Sequence, residues 1–173
     1  MMPTNADGLM PFRQNNDLLY LSGVDQEESI LVIFPDAANP KNREILFVKE
    51  TSELIAIWEG EKLNKESATK QSGIQTIYWL TDFEQVFHGL VVESERIYLN
   101  QNEHLRAVTI VQTCDDRFRI ECKAKYPDHK YERLAPIMNV LRPIKSQLEI
   151  DAIQQACDIT EKGFRRILDF VKP

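Results

Sequence analysis

Glycine is scarce in this chain, six in 173 residues. No two of them lie close enough for G-x-G-x-x-G, a Walker-type loop or a G-x-S-x-G elbow, so the common phosphate-cradling and serine-nucleophile motifs are absent. Histidine is equally thin. His88, His104 and His129 stand alone, with neither H-E-x-x-H nor C-x-x-C. The three cysteines, Cys114, Cys122 and Cys157, are odd in number and irregular in spacing, which predicts reduced thiols and a cytoplasmic setting. Excess positive charge is missing too: 21 Lys and Arg face 27 Asp and Glu, for a net charge of −6. That balance argues against nucleic acid, whose phosphates require clustered cations. No apolar run approaches the roughly 20 residues of a membrane span. The polar start M-M-P-T-N-A-D-G lacks the basic and apolar regions of a signal peptide, and its doubled Met suggests that the natural chain begins earlier.

What is present is a soluble-type composition, 43% hydrophobic and 28% charged, at a length that fits one domain, with room for an appendage. Met10 to Gly23 reads as a short amphipathic helix, capped by Asn15 or Asn16, with Leu18, Leu19 and Leu21 on its apolar face and Gly23 as its stop. Ser29–Phe34 is a continuous apolar run, predicted to be a strand buried on both faces. Glu44–Lys49 supplies an antiparallel partner. Thr51–Trp58 suggests one to two helical turns or an irregular segment, and Glu61–Ser72 a solvated helix with few core contacts. Gln75–Leu80 is a third strand, with Ile77 and Trp79 facing away from Thr76 and Tyr78. Thr81 and Glu84 form a predicted capping box for a helix reaching about Leu90. A fourth strand is expected at Arg96–Leu99, a helix or strand at Asp115–Tyr126, and a short helix at Arg133–Val140. Ser146 and Glu149 cap a final helix from about Gln147 to Phe170. Its stripe is Ile150, Ile153, Cys157, Thr160, Phe164, Ile167 and Val171. Strands interleaved with helices, one pair antiparallel, predict an α/β fold: a mixed sheet with helices on both faces.

No catalytic constellation emerges. Cys114, Asp115, Asp116 and His129 are the only residues worth weighing as ligands, and no spacing among them matches a zinc template. A buried thiol beside a solvated acidic turn accounts for them as well. Cys114, Asp116 and His129 define a small-hydrolase reading. The runs Glu59–Lys65 and Glu121–Lys130 alternate in sign, as solvated faces do.

Three blocks, in order, carry a resemblance: M-P-F-R-Q-N-N-D-L-L-Y-L-S-G at Met10–Gly23; L-F-V-K-E with I-A-I-W-E-G-E-K-L between Leu46 and Leu63; and L-R-P-I-K-S-Q-L-E-I-D-A-I-Q-Q-A-C-D-I-T from Leu141. Together they resemble the N-terminal domain of the Xaa-Pro aminopeptidases (aminopeptidase P) of the creatinase/prolidase family. The resemblance implies a ribonuclease-H-like motif ending in a long helix. Residues 1–143 would be the N-terminal domain, and 144–173 the helix leading into a catalytic domain absent from this chain. It further implies a parent metallopeptidase that binds two manganese ions and removes the residue preceding proline. Its partners would be its own catalytic domain, further subunits of a homo-oligomer and proline-containing peptides. The metal ligands would all lie beyond Pro173, so this chain alone is expected to be inactive and metal-free. A helix and a strand usually precede the first block in the family. Without them a sheet edge is expected to be open to self-association.

The resemblance also nominates residues. Trp58 matches the Trp of the family's I-W-x-G segment, which reaches towards a neighbouring subunit's site, where an indole can meet a proline ring; the alternative is a core or interface Trp. Asp7 matches an acidic position near the same entrance; the alternative is a turn residue before Gly8. Arg13 and Gln14 are the centre of the first motif, with Arg13 expected to be partly buried and paired with Asp17. Tyr20 and Trp79 are expected in the core. A stand-alone interaction domain with the same fold is the other reading.

Overall fold

The structure, a computed structural model, describes residues 8, 10–104 and 110–172. They fall into two units, Met1–Ile97 with Asp128–Lys130, and Tyr98–Pro127 with Tyr131–Pro173.

The first unit opens with helix α1 (Asn16–Ser22). The Asn15 side chain accepts from the N–H groups of Asp17 and Leu18, and Gly23 closes the helix at φ +67°. Strand β1 (Ile30–Ile33) then pairs antiparallel with β2 (Glu44–Val48). Helices α2 (Glu53–Glu59) and α3 (Lys65–Ser72) follow, and the chain returns as β3 (Thr76–Trp79), parallel to β2. The sheet order is β1-β2-β3. A 3-10 turn at Leu80–Asp82 leads into α4 (Phe83–Glu93).

Strand β2 is central, and Ile45, Leu46, Phe47 and Val48 have no exposure. Successive side chains of a strand point to opposite faces, so these four divide between two cores. Leu46 and Val48 pack with Val24, Ala68 and Ile74, against Leu18, Leu31, Ile77 and Trp79. Ile45 and Phe47 pack with Leu90, against Ile30, Val32, Tyr78, Phe83 and Val86. Phe47 meets Phe83 edge-on at 5.1 Å between ring centroids, a favoured aromatic geometry. The Lys65 ammonium lies 4.9 Å from the centroid of the Trp79 ring.

Strands β4 (Arg96–Leu99) and β5 (Lys130–Arg133) form a separate two-stranded sheet. Backbone bonds from Lys130 N to Glu95 O and from Leu134 N to Leu99 O keep one sequence offset at both ends, as a parallel pair does.

In the second unit, α5 (Cys114–Lys125) begins with a capping box of Thr113 and Asp116. The Tyr131 hydroxyl lies within hydrogen-bonding distance of the carbonyl oxygens of Cys122 and Tyr126. Helix α6 (Ala135–Leu141) buries Met138. Helix α7 (Gln147–Phe170) has the expected Ser146–Glu149 capping box and no buried residue. Among the described residues no helix is long and apolar enough to cross a membrane.

Several expectations need correction. Helix α4 starts at Phe83 with no side-chain cap, because Leu80–Asp82 winds into a 3-10 turn where the Thr81–Glu84 box was expected. It ends at Glu93, beyond Leu90. Helix α3 starts at Lys65, later than the expected Glu61, and buries one residue, Ala68. The helix expected at Arg133–Val140 is α6, which starts at Ala135, and the strand β5 before it was not expected; its polar K-Y-E-R carries little apolar signal. Tyr20 and Leu19 are each 40% exposed, so α1 buries a narrower face than its leucines suggested.

Candidate functional site

The Trp58 segment lies between Lys49, just after β2, and Lys62, just before α3. Within it, Ser52 caps α2 by accepting from the N–H of Ile55 at 3.3 Å, and Gly60 ends it at φ +80°. No residue of α2 is buried. Leu54, Ile57 and Trp58 are 72%, 77% and 84% exposed. At i, i+3 and i+4 they share one helical face, so Trp58 belongs to an exposed apolar patch and not to the core.

The base of the segment is held by three consecutive residues ahead of β1. Gln26, only 7% exposed, accepts the Leu63 N–H on its side-chain oxygen at 2.7 Å. Glu27 pairs with Lys62, both side chains largely buried. Glu28 pairs with Lys49 at 3.0 Å, and Lys49 also bonds Glu59 at the end of α2 at 2.8 Å. The Lys62 bond holds the Glu27 carboxyl below the ordinary glutamate range. Hydrogen bonds to Glu59 and Glu28 push the Lys49 ammonium up.

The first motif joins this base through one residue. Gln14 Nε2 donates to the Gln26 carbonyl at 2.9 Å, and Gln14 Oε1 accepts the Asn15 N–H. Arg13 is exposed, not partly buried as expected. Asp17 sits in the first turn of α1, where a carboxylate suits the helix dipole. The Gly23 carbonyl accepts from Gln71 Nε2 at 2.7 Å, linking α1 to α3. Asp7 lies outside the described residues. Sequence reasoning missed Gln26, Glu27 and Glu28. The only hint was a polar Q-E-E before an apolar strand, which reads as an ordinary loop.

The residues of the small-hydrolase reading are engaged locally. The Asp116 carboxylate accepts from the Thr113 N–H and hydroxyl in the capping box, Arg117 contacts the Cys114 sulfur at 3.2 Å, and His129 Nε2 lies 2.9 Å from the Val91 carbonyl. Among the described residues no group of three His, Cys, Asp or Glu could hold a metal ion, so they do not fit a two-manganese centre. What this arrangement offers is a held, exposed aromatic.

The family described as "Aminopeptidase P, N-terminal domain" matches residues 1–98. The chain belongs to that family. Among curated relatives, the Xaa-Pro aminopeptidase of Escherichia coli is 25% identical over 175 residues, covering 98% of this chain and 38% of its own length. Human Xaa-Pro aminopeptidase 3 is 28% identical over 157 residues, covering 88% of this chain and 30% of its own. The aminopeptidase P N-terminal domain described here thus spans well under half of those relatives. Pseudomonas aeruginosa aminopeptidase PepP shares its fold with a TM-score of 0.78 at 22% identity, covering 98% of this chain and 38% of that one. Escherichia coli aminopeptidase P does so with 0.66 at 24%, covering 90% and 36%.

Proposed function

We propose that this chain is the non-catalytic N-terminal domain of an Xaa-Pro aminopeptidase, serving subunit assembly and substrate access. The parent would be a manganese-dependent cytoplasmic enzyme that removes the residue preceding proline from peptides. Residues 1–143 form the domain, and 144–173 the connecting helix. The observation that carries this reading is that nearly the whole chain aligns with only 38% of the Escherichia coli enzyme.

Trp58, on the exposed face of α2, acts as the gating residue, and Asp7 joins it at the same entrance. The indole offers a flat apolar surface to a proline ring, and crowding there limits peptide length. Arg13, Gln14, Asp17 and Gly23 are structural, and Gln14 supports the base of the Trp58 segment. Helix α7 is the docking surface for the catalytic domain: Ile150, Ile153, Phe164 and Ile167 are all exposed, and an amphipathic helix gains most of its stability from what covers that face.

The test is an assay of the isolated chain on a peptide with proline in second position, with manganese added, beside metal analysis of the purified protein. No turnover and no stoichiometric metal are expected. Turnover with bound metal would overturn the reading. A stand-alone interaction domain is the second reading, favoured by the exposed Leu54–Ile57–Trp58 face. It requires a reading frame that does not continue past Pro173 into two Asp, one His and two Glu ligands.

A further inference from the structure

We infer that Gln26, Glu27 and Glu28 form a clamp that sets the bearing of the Trp58 helix, with Lys49 and Lys62 as the positioning residues it grips. The use of that bearing rests on the gating role proposed for Trp58; the clamp itself rests on geometry alone.

Three observations converge. First, the two lysines stand at the two ends of the excursion, one before residue 50 and one after residue 61. Both are gripped by adjacent glutamates of a single turn, Lys62 by Glu27 and Lys49 by Glu28. The grip continues one residue further back, where the buried Gln26 accepts the Leu63 N–H. Exit and return of the segment are thereby fixed to one short stretch of backbone.

Second, α2 buries no residue of its own. A helix without a buried face takes its orientation from its ends. Lys49 reaches past the stem to Glu59, the residue after Trp58. One ammonium thus joins the turn at Glu28 to the last turn of α2.

Third, Glu28 has φ +56°. Side chains other than glycine rarely occupy that region, which carries strain for a residue with a Cβ. Glycine would satisfy the backbone; only a side chain supplies the carboxylate that Lys49 uses. The local conformation and the ion pair therefore place opposite demands on this position, and the residue present is the one that serves the pair.

The two halves differ in burial. The Glu27 and Lys62 side chains are 17% and 10% exposed, against 48% and 32% for Glu28 and Lys49. The Lys49 half is the more open to screening by salt.

Amide hydrogen exchange on the 173-residue chain tests this, comparing α2 amides with those of β2. Lys49→Met, Glu28→Gln and Glu28→Gly should each speed exchange in α2 by about threefold to tenfold, with β2 unchanged. Lys49→Arg should restore protection. Glu27→Gln should loosen α2 by about tenfold or more. High salt should mimic the Lys49 variants and not the Glu27 one. Glu28→Gly is the decisive arm. Loosening despite relief of the backbone supports the clamp; tighter or unchanged protection overturns it. Equal acceleration in α2 and β2 would show general destabilisation and also overturn it. If α2 loosens as expected but Trp58→Ala leaves peptide selectivity of the longer enzyme unaltered, the clamp stands and the gating role falls.

Discussion

Leu46 and Phe47 are adjacent in the chain, both without exposure, and belong to two different cores. The pleat of β2 sends one side chain towards α1 and α3 and the next towards α4. Truncating either to Ala should cost about 3–5 kcal/mol, from lost transfer energy and the cavity left behind. Because the cavities open on opposite faces, the double variant should be additive within about 0.5 kcal/mol. Phe47→Ala with Leu90→Ala, which share a core, should show clear coupling. Urea unfolding of the three single and two double variants checks both statements.

Glu27 gives a pH dependence of defined sign. Its folded pKa is depressed by Lys62, so its contribution is fully present above the ordinary glutamate range and is lost as pH falls through the folded value. Glu27→Gln should cost about 1.5–3 kcal/mol at neutral pH, the worth of a charge-assisted bond. Stability curves of the two proteins should draw together as pH falls below the ordinary glutamate range and converge once it is below the depressed folded value. Parallel curves across that range would refute the assignment.

Two glycines should respond oppositely to the same change. At Gly23, with φ +67°, an added Cβ meets nothing closer than 3.7 Å, so the cost of Gly23→Ala is conformational, about 1–2 kcal/mol. Gly89, within α4, has nothing within 4 Å of a built Cβ. Gly89→Ala should stabilise by up to about 1 kcal/mol through helix propensity. Thermal unfolding followed by circular dichroism would show the two midpoints moving apart.

Helix α7 depends on its local signals, since none of its residues is buried. Ser146→Ala removes the group that accepts the Glu149 N–H and donates to its carboxylate. The expected result is reduced helicity at 222 nm with no change in the cooperative unfolding midpoint. A lowered midpoint would mean that α7 unfolds together with the sheet.

Elements with strong local signals were legible in the sequence. Asn15 and Gly23 bracket α1, the S-I-L-V-I-F run is β1, and Ser146 with Glu149 starts α7, because capping and periodicity act within a turn or two. The alternation of Ile77 and Trp79 against Tyr78 gave the correct faces of β3 for the same reason. Strand β5 was not legible, since K-Y-E-R lacks apolar alternation and is held by pairing to β4, distant in the chain. Thr81 and Glu84 had the right spacing for a box, but the tertiary path winds that turn as 3-10. Trp58 was nominated by resemblance, and the structure adds only its exposure on α2. The clamp beneath it was invisible, because ion pairs between Glu27 or Glu28 and lysines more than twenty residues away leave no periodic trace.

The closed base of the Trp58 segment has a consequence for chain entropy. Strand β3 must find β2 across everything between Val48 and Thr76, a non-local closure that normally penalises lengthening. Once Glu27 and Glu28 fix both ends of residues 50–61, that stretch becomes a loop within a loop, and doubling its length adds only about 0.6 kcal/mol. The tip that carries Trp58 is therefore open to insertion and exchange, by evolution or by design, without disturbing the sheet that holds it.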